Sequence, residues 1–173
     1  MSEIPDANAV RIAEVYDEYA GGLFRYARAL IGSDDDAEDA VCEVFLQLAQ
    51  NAKRLGRLRD VKHYLLRATR NAAYRIFRDA RRREELSSKA EWNRESQSSV
   101  DSDPDLDSIL EAFGELPREQ CDVLALRLLH DLTFRQIGEI VGLSQNTVAS
   151  RYRYGIERLR ANAKENEYGT RTR

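Results

Sequence analysis

Apolar residues recur at three- and four-residue spacing along most of the chain, and this periodicity restricts the fold more than any other feature. No segment alternates apolar and polar residues for long enough to form a sheet, and the chain contains only three prolines. Its 173 residues suffice for one ordinary domain or two small ones. We therefore predict an all-α protein.

The first half of the chain predicts three amphipathic helices that form a compact bundle. The first covers about residues 9–31 and ends at Gly32. The second begins at the acidic turn 33–36, where Ser33 can cap free N–H groups. Its predicted buried stripe is Ala37, Ala40, Val41, Val44, Phe45 and Leu48. The third covers about residues 60–83, with the stripe Val61, Tyr64, Leu65, Ala68, Ala72 and Ile76.

A change of composition divides the chain. Residues 84–105 are rich in Ser, Asp and Glu and predict a flexible linker that also contains Trp92. We expect one domain over 1–83, a second over 106–165 and a disordered tail over 166–173. In the second domain, Pro117 suits a first helical position, and the stripe that follows is Cys121, Leu124, Ala125 and Leu128.

Residues 133–160 carry a helix-turn-helix pattern. Gly138 permits two helices to cross closely, Gly142 ends the first of them, and Ser144 is a natural N-cap for the second. On the second helix, Val148, Tyr152, Gly155 and Leu159 gather on one side as a packing face. The caps, glycines and apolar positions agree with one another, so the motif is fairly specific.

The net charge of −3 conceals a strong alternation. Residues 1–52 carry −8, residues 53–83 carry +10, residues 84–117 carry −8 and residues 118–173 carry +3. Two basic blocks indicate two surfaces that face a polyanion. A DNA-binding protein that acts alone is usually basic overall, so the acidic balance favours a chain that binds nucleic acid with the help of a partner.

The third predicted helix carries cations and aromatics opposite its apolar stripe. His63, Arg67, Arg70, Tyr74, Phe77 and Arg81 fall within about 80° of one another at 100° per residue. Single-stranded nucleic acid suits such a face, because phosphates meet charge while bases stack on rings. Equally, the two rings could pack under another helix while the arginines are solvated.

These motifs resemble the sigma-70 class of bacterial RNA polymerase initiation factors, specifically the small extracytoplasmic-function group. Asp36-Ala37-Glu38-Asp39, followed by Glu43-Val44-Phe45, is similar to family region 2.2. Tyr64-Leu65-Leu66-Arg67-Ala68 with Asn71 and the arginines through Arg83 is similar to regions 2.3 and 2.4. Residues 116–160 are similar to region 4.

The resemblance implies core RNA polymerase and promoter DNA as partners. It places polymerase docking on Asp39, Glu43 and Gln47. It assigns melting and reading of the −10 element to His63, Arg67, Arg70, Asn71, Tyr74, Phe77, Arg78 and Arg81. Reading of the −35 element falls to Gln145, Asn146, Thr147, Ala149, Ser150, Arg151 and Arg153. An anti-sigma protein is a usual partner in the family.

Departures from the family pattern affect both interfaces. Cys42 stands where Gln is common beside the docking Glu, and Tyr64 replaces a frequent Trp. In the recognition helix, Ala149, Tyr154 and Ile156 occupy positions often held by Arg. Promoter preference therefore cannot be transferred from better-known relatives.

Other residue patterns argue against catalysis, metals and membranes. The chain has two histidines, no phosphate loop and no HExxH motif, so we expect no enzyme activity, cofactor or metal. Cys42 and Cys121 lie on or beside apolar stripes, which predicts two buried thiols. No apolar run is long enough to insert in a membrane, and we expect a cytoplasmic, nucleoid-associated protein. Two alternatives remain: a helix-turn-helix regulator that acts without polymerase, and an all-helical interaction adaptor.

Overall fold

The structure is a computed structural model that describes residues 7–86 and 104–170. Within these ranges it contains eight helices and no strand, which confirms the all-α class. They are α1 (Ala7–Ile31), α2 (Asp34–Gln50), α3 (Ala52–Leu55), α4 (Val61–Leu86), α5 (Pro104–Gly114), α6 (Arg118–Leu128), α7 (Phe134–Val141) and α8 (Gln145–Thr170). Contacts divide the chain into two units, Met1–Ser98 and Ser99–Arg173. No described helix is both long and apolar enough to span a bilayer.

The first unit is a bundle in which α1, α2 and α4 each pack against the other two. Leu23, Tyr26 and Leu65 are among its fully buried side chains. An ion pair between Arg28 Nε and Asp34 Oδ1, 2.6 Å apart, joins the end of α1 to the first turn of α2. The two helices are therefore fastened where the chain turns between them.

Helix α2 follows the prediction closely. The Ser33 hydroxyl accepts a hydrogen bond from the Asp36 backbone N–H at 3.3 Å, as expected of an N-cap. Three carboxylates occupy the first turn, where their negative charge interacts favourably with the helix dipole. All six residues predicted for its buried stripe are buried.

The buried face of α4 differs from the prediction. Its buried side chains are Leu65, Leu66, Thr69, Ala72 and Ala73. The other four predicted residues, Val61, Tyr64, Ala68 and Ile76, are half-buried. At 100° per residue the centre of the buried arc is displaced by about 70°. Small side chains at 69, 72 and 73 allow α1 and α2 to cover α4 from two sides, and a search for large apolar residues does not detect this.

The second unit is built around α6, which contacts α5, α7 and α8. Residues 121–126 are all buried, including the carboxylate residue Asp122. The prediction for Leu128 is wrong, because this residue of the last turn is half exposed. Gly155 of α8 lies against α6, since a Cβ at this position would lie 2.5 Å from Leu124 Cδ1.

The helix-turn-helix formed by α7 and α8 is confirmed in detail. A Cβ on Gly138 would lie 2.6 Å from the Leu143 carbonyl oxygen, so only glycine permits this close approach. Gly142 has a φ of 75° and ends α7 in the left-handed region. The Thr147 backbone N–H donates to the Ser144 hydroxyl at 3.2 Å. A capping box at Thr133, which sequence reasoning missed, begins α7.

The helices extend beyond the predicted domain limits. Helix α4 continues to Leu86 and α5 begins at Pro104, so both ends of the predicted linker over 84–105 are helical, while its residues 87–103, with Trp92, lie outside the described residues. Helix α8 reaches Thr170 and so extends into the segment 166–173 that was predicted to be a tail. Alanine, lysine and glutamate at 161–165 favour continuation of the helix.

Candidate protein and nucleic-acid interfaces

The predicted docking residues share one outward edge of α2. Asp39 and Gln47 are exposed, and the Glu43 side chain is 31% exposed. Gln47 Nε2 donates to Glu43 Oε1 at 2.9 Å. The Arg75 guanidinium of α4 donates to the other carboxylate oxygen of Glu43. The structure thus brings the three predicted residues together and adds Arg75, which sequence reasoning missed because nothing local in sequence connects it to α2.

Cys42 lies beside this edge and is exposed, so the prediction of a buried thiol is wrong at this position. Leu46, one turn further along α2, is 59% exposed. Both lie outside the arc of α2 that α1 and α4 cover. An apolar strip therefore borders the carboxylates of the docking edge.

The cationic face of α4 is partly exposed and partly covered. Arg67, Asn71, Arg78 and Arg81 are exposed, whereas His63, Arg70, Tyr74 and Phe77 are half-buried. The His63 backbone N–H donates to Asp60 Oδ1 at 2.9 Å, which caps the start of the helix. The structure therefore places all eight predicted residues on the outer part of one helix.

Two guanidinium groups lie over aromatic rings on this face. Arg70 Cζ is 4.5 Å from the centroid of Tyr74, and Arg81 Cζ is 5.9 Å from that of Phe77. At exposed sites such a contact contributes about 0.5–1 kcal/mol. Each pair combines a charge for a phosphate with a ring on which a base can stack.

The outward face of α8 also follows the predicted phase. Of the seven predicted residues, Gln145, Asn146, Thr147 and Arg153 are exposed, while Ala149, Ser150 and Arg151 are half-buried. On the opposite side Val148 and Gly155 are buried, and the Tyr152 ring lies 5.3 Å from that of Phe134. The Arg153 guanidinium lies 5.3 Å from the ring of Tyr154, which is 54% exposed.

Two family models match the two structural units. The model for sigma-70 region 2 matches residues 15–83, and the model for sigma-70 region 4 matches residues 112–161. The chain belongs to the sigma-70 family. The ECF RNA polymerase sigma factor SigL of Mycobacterium tuberculosis is 31% identical over 163 residues, which cover 92% of each chain. The ECF RNA polymerase sigma factor BldN of Streptomyces coelicolor is 26% identical over 78% of this chain and 53% of its own length.

Two solved structures share the fold. The sigma factor RpoE in complex with the anti-sigma factor NepR from Bartonella quintana matches with a TM-score of 0.74 and 21% identity, over 89% of this chain and 97% of RpoE. CnrH, in complex with the cytosolic domain of CnrY, matches with a TM-score of 0.68 and 17% identity, over 92% and 91%.

The protein is therefore an ECF sigma factor that directs RNA polymerase to promoters. Sigma factors bind core RNA polymerase and promoter DNA, and they are not enzymes. The family relationship assigns these activities to the chain as a whole.

Proposed function

We propose that three surfaces of this sigma factor have separate roles in transcription initiation. The outward edge of α2 docks on core polymerase, the cationic face of α4 holds the melted −10 strand, and the outward face of α8 reads the −35 duplex. The pairs Arg70–Tyr74 and Arg81–Phe77 carry the proposal, because they combine charge and ring on the most basic segment of the chain.

Docking is proposed for Asp39, Glu43 and Gln47. Their shared edge offers carboxylate oxygens beside the exposed apolar side chain of Leu46. An apolar centre with a polar rim is the usual composition of a protein interface. The carboxylates favour a basic partner surface, which would steer the encounter and fix its orientation.

The −10 strand is proposed to bind His63, Arg67, Arg70, Asn71, Tyr74, Phe77, Arg78 and Arg81. Stacking of an extruded base on an aromatic ring contributes about 1–3 kcal/mol. Tyr74 and Phe77 are half-buried, so each ring is held in place while part of its surface stays accessible. Such rings can trap an unpaired base without having to be ordered first.

The −35 element is proposed to lie against Gln145, Asn146, Thr147, Ala149, Ser150, Arg151 and Arg153. In the major groove Asn suits adenine and Arg suits guanine, while the Ala149 methyl can contact thymine. Arg151 lies at the flank of this face and suits a phosphate. Thr147 shares a hydrogen bond of 2.9 Å with Ser144, which orients it at the start of the helix.

Transcription in vitro with purified core polymerase tests the proposal. A DNA library randomised in the −35 and −10 elements is transcribed with and without the sigma factor, and the productive templates are sequenced. We expect enrichment of one bipartite element that depends on the sigma factor. A mobility shift of the same DNA by the sigma factor alone, without polymerase, would favour the stand-alone regulator instead.

We also infer an anti-sigma partner and action in the cytoplasm at the nucleoid, where polymerase meets DNA. The inference of a partner is supported by the fold shared with RpoE, whose structure was solved with the anti-sigma factor NepR. Affinity purification from the native host should recover a protein that blocks binding of the sigma factor to core polymerase. Recovery of core polymerase alone would contradict a restraining partner.

A further inference from the structure

The ion pair between Glu43 and Arg75 connects the proposed docking helix to the proposed DNA helix. Glu43 receives donors on both carboxylate oxygens, from Gln47 on its own helix and from Arg75 on α4. Arg75 belongs to residues 53–83, the segment that carries +10, and its charge is paired with the carboxylate of Glu43 at the docking edge. One residue thus connects two surfaces that serve different partners.

The ion pair between Arg75 and Glu43 lies where another cation can replace Arg75. The side chains of Arg75 and Glu43 are 45% and 31% exposed, so solvent reaches both partners. An ion pair of this kind contributes only about 0–1 kcal/mol, because water screens it. A cation from another protein could therefore replace Arg75 on Glu43 at small cost.

Arg75 would join the DNA-binding face once it leaves Glu43. At 100° per residue it lies about 40° from Asn71 and about 60° from Arg78, both of which are exposed. A long arginine side chain at that position can reach a phosphate that lies along the edge of α4. While it is paired to Glu43, its charge is largely neutralised toward a polyanion.

We propose that Arg75 is a DNA-phosphate ligand that the free sigma factor holds on Glu43 and that polymerase docking releases. This proposal rests on the docking and −10 assignments made above. Docking replaces Arg75 by a cation of polymerase, so the DNA face gains one contact only in the holoenzyme. Because coupling is reciprocal, DNA that engages Arg75 also strengthens docking.

A double-mutant cycle on the free full-length chain tests the pairing. Binding of a labelled single-stranded oligonucleotide is measured at low salt by fluorescence anisotropy. We expect Glu43→Gln to tighten binding about two- to fivefold by freeing Arg75, and the further change Arg75→Gln to remove that gain. Asp39→Asn is the matched control, since it removes the same charge from the same edge of α2. Its effect should add to that of Arg75→Gln without coupling.

The release is tested on the assembled holoenzyme with the same oligonucleotide. Arg82 is exposed and lies about 20° from Arg75 around α4, so Arg82→Gln is the control for a lost cation. For each state we divide the loss of oligonucleotide affinity caused by Arg75→Gln by the loss caused by Arg82→Gln. We expect this ratio to be about two- to fivefold larger in the holoenzyme than in the free chain.

An equal relative loss in the two states would overturn the proposal, as would a cycle in which Glu43→Gln couples to Arg75→Gln no more than Asp39→Asn does. A failure of the docking assignment itself is distinguishable. In that case Glu43→Arg would leave binding to core polymerase intact, whatever the DNA measurements show.

Discussion

At the scale of single residues, exposure decides which side chains can act on a partner. On α8, Arg153 is exposed and Arg151 is half-buried at the flank, so two arginines two positions apart face different surroundings. The two cysteines also differ, since Cys42 is exposed and Cys121 is buried. Residue type alone predicts neither difference.

The two arginines should have different effects on promoter recognition. We expect Arg153→Ala to cost about 1–3 kcal/mol and to relax preference at one base pair, because Arg pairs with a base edge. Arg151→Ala should weaken all sequences alike and reduce the salt slope by about one. Holoenzyme binding to a promoter and to its single-base mutants measures both. If Arg153→Ala weakened every site equally, Arg153 would be a backbone contact.

The two thiols should differ in reactivity. Burial in an apolar environment raises the pKa of Cys121 to about 12, so its reactive thiolate is scarce at neutral pH. We expect iodoacetamide to modify Cys42 in the folded protein and Cys121 only after unfolding, as followed by intact mass. Cys42→Ser should then show no fast modification. Fast labelling of that variant would mean that the α6 core opens readily.

At the scale of elements, the close helix crossings depend on glycine. Gly138 allows α7 to lie close to the Leu143 backbone, which precedes α8. Gly155 allows α8 to lie close to α6. Backbone lies against Gly138, whereas the end of a leucine side chain lies against Gly155. The first contact has less freedom to adjust than the second.

Gly138→Ala should therefore destabilise the second unit. The added Cβ would meet the Leu143 carbonyl oxygen, and relieving such overpacking costs typically 1–3 kcal/mol. Gly21→Ala in α1 is the matched control, since only the Arg25 guanidinium lies near. It should stabilise by about 0.5–1 kcal/mol, because alanine loses less backbone entropy than glycine in a helix. Urea unfolding of both variants gives the comparison, and equal effects would contradict the crossing argument.

Helix α2 gives a second prediction at this scale. Glu43→Arg should abolish co-purification with core polymerase, because it places like charge against a basic partner surface. Helical content should stay unchanged in circular dichroism, since the site lies at the surface. Glu38→Arg makes the same charge change about 140° away around α2 and should retain binding. Equal binding by both variants would remove the docking assignment.

At the scale of the whole molecule, charge alternates along the chain. The +10 of residues 53–83 is flanked by two segments of −8 each. An acidic segment beside a basic face can occupy it within one chain and lower its apparent affinity for DNA by the fraction occupied. Such masking suits a sigma factor, which should engage promoters only as part of the holoenzyme.

Neutralising part of the acidic segment 84–117 should therefore strengthen DNA binding by the free protein. We expect Gln or Asn at positions 91, 95 and 101 to tighten binding of single-stranded DNA at low salt and to have little effect near 1 M salt, where the Debye length is about 3 Å.

The control for this experiment carries three equal neutralisations on α1, at the exposed residues Glu14, Asp17 and Glu18. Fluorescence anisotropy at several salt concentrations compares the two variants. If both bound DNA equally, net charge alone would account for the change, and masking by the acidic segment would be wrong.

Local and periodic features of the fold could be predicted from the sequence. Caps and glycines act within a few residues, so Ser33, Gly142 and Ser144 could be assigned from the sequence. Apolar periodicity was enough for the buried stripe of α2 and the phase of α8, because the buried residues of α2 are all apolar and Val148 and Gly155 lie on the covered side of α8. The motif order over both halves also sufficed for the family.

Features that depend on neighbouring helices could not be predicted in this way, because they form only when the helices pack together. The buried face of α4 differs from the predicted face because α1 and α2 cover the helix from two sides, so that Thr69 and Ala73 are buried as well. Cys42 is exposed because, among the described residues, the helices that pack on α2 cover a different part of its surface. The pairing of Arg75 with Glu43 joins residues 32 positions apart, and no local pattern encodes it. Burial and pairing are properties of two elements in contact, whereas a sequence motif describes one.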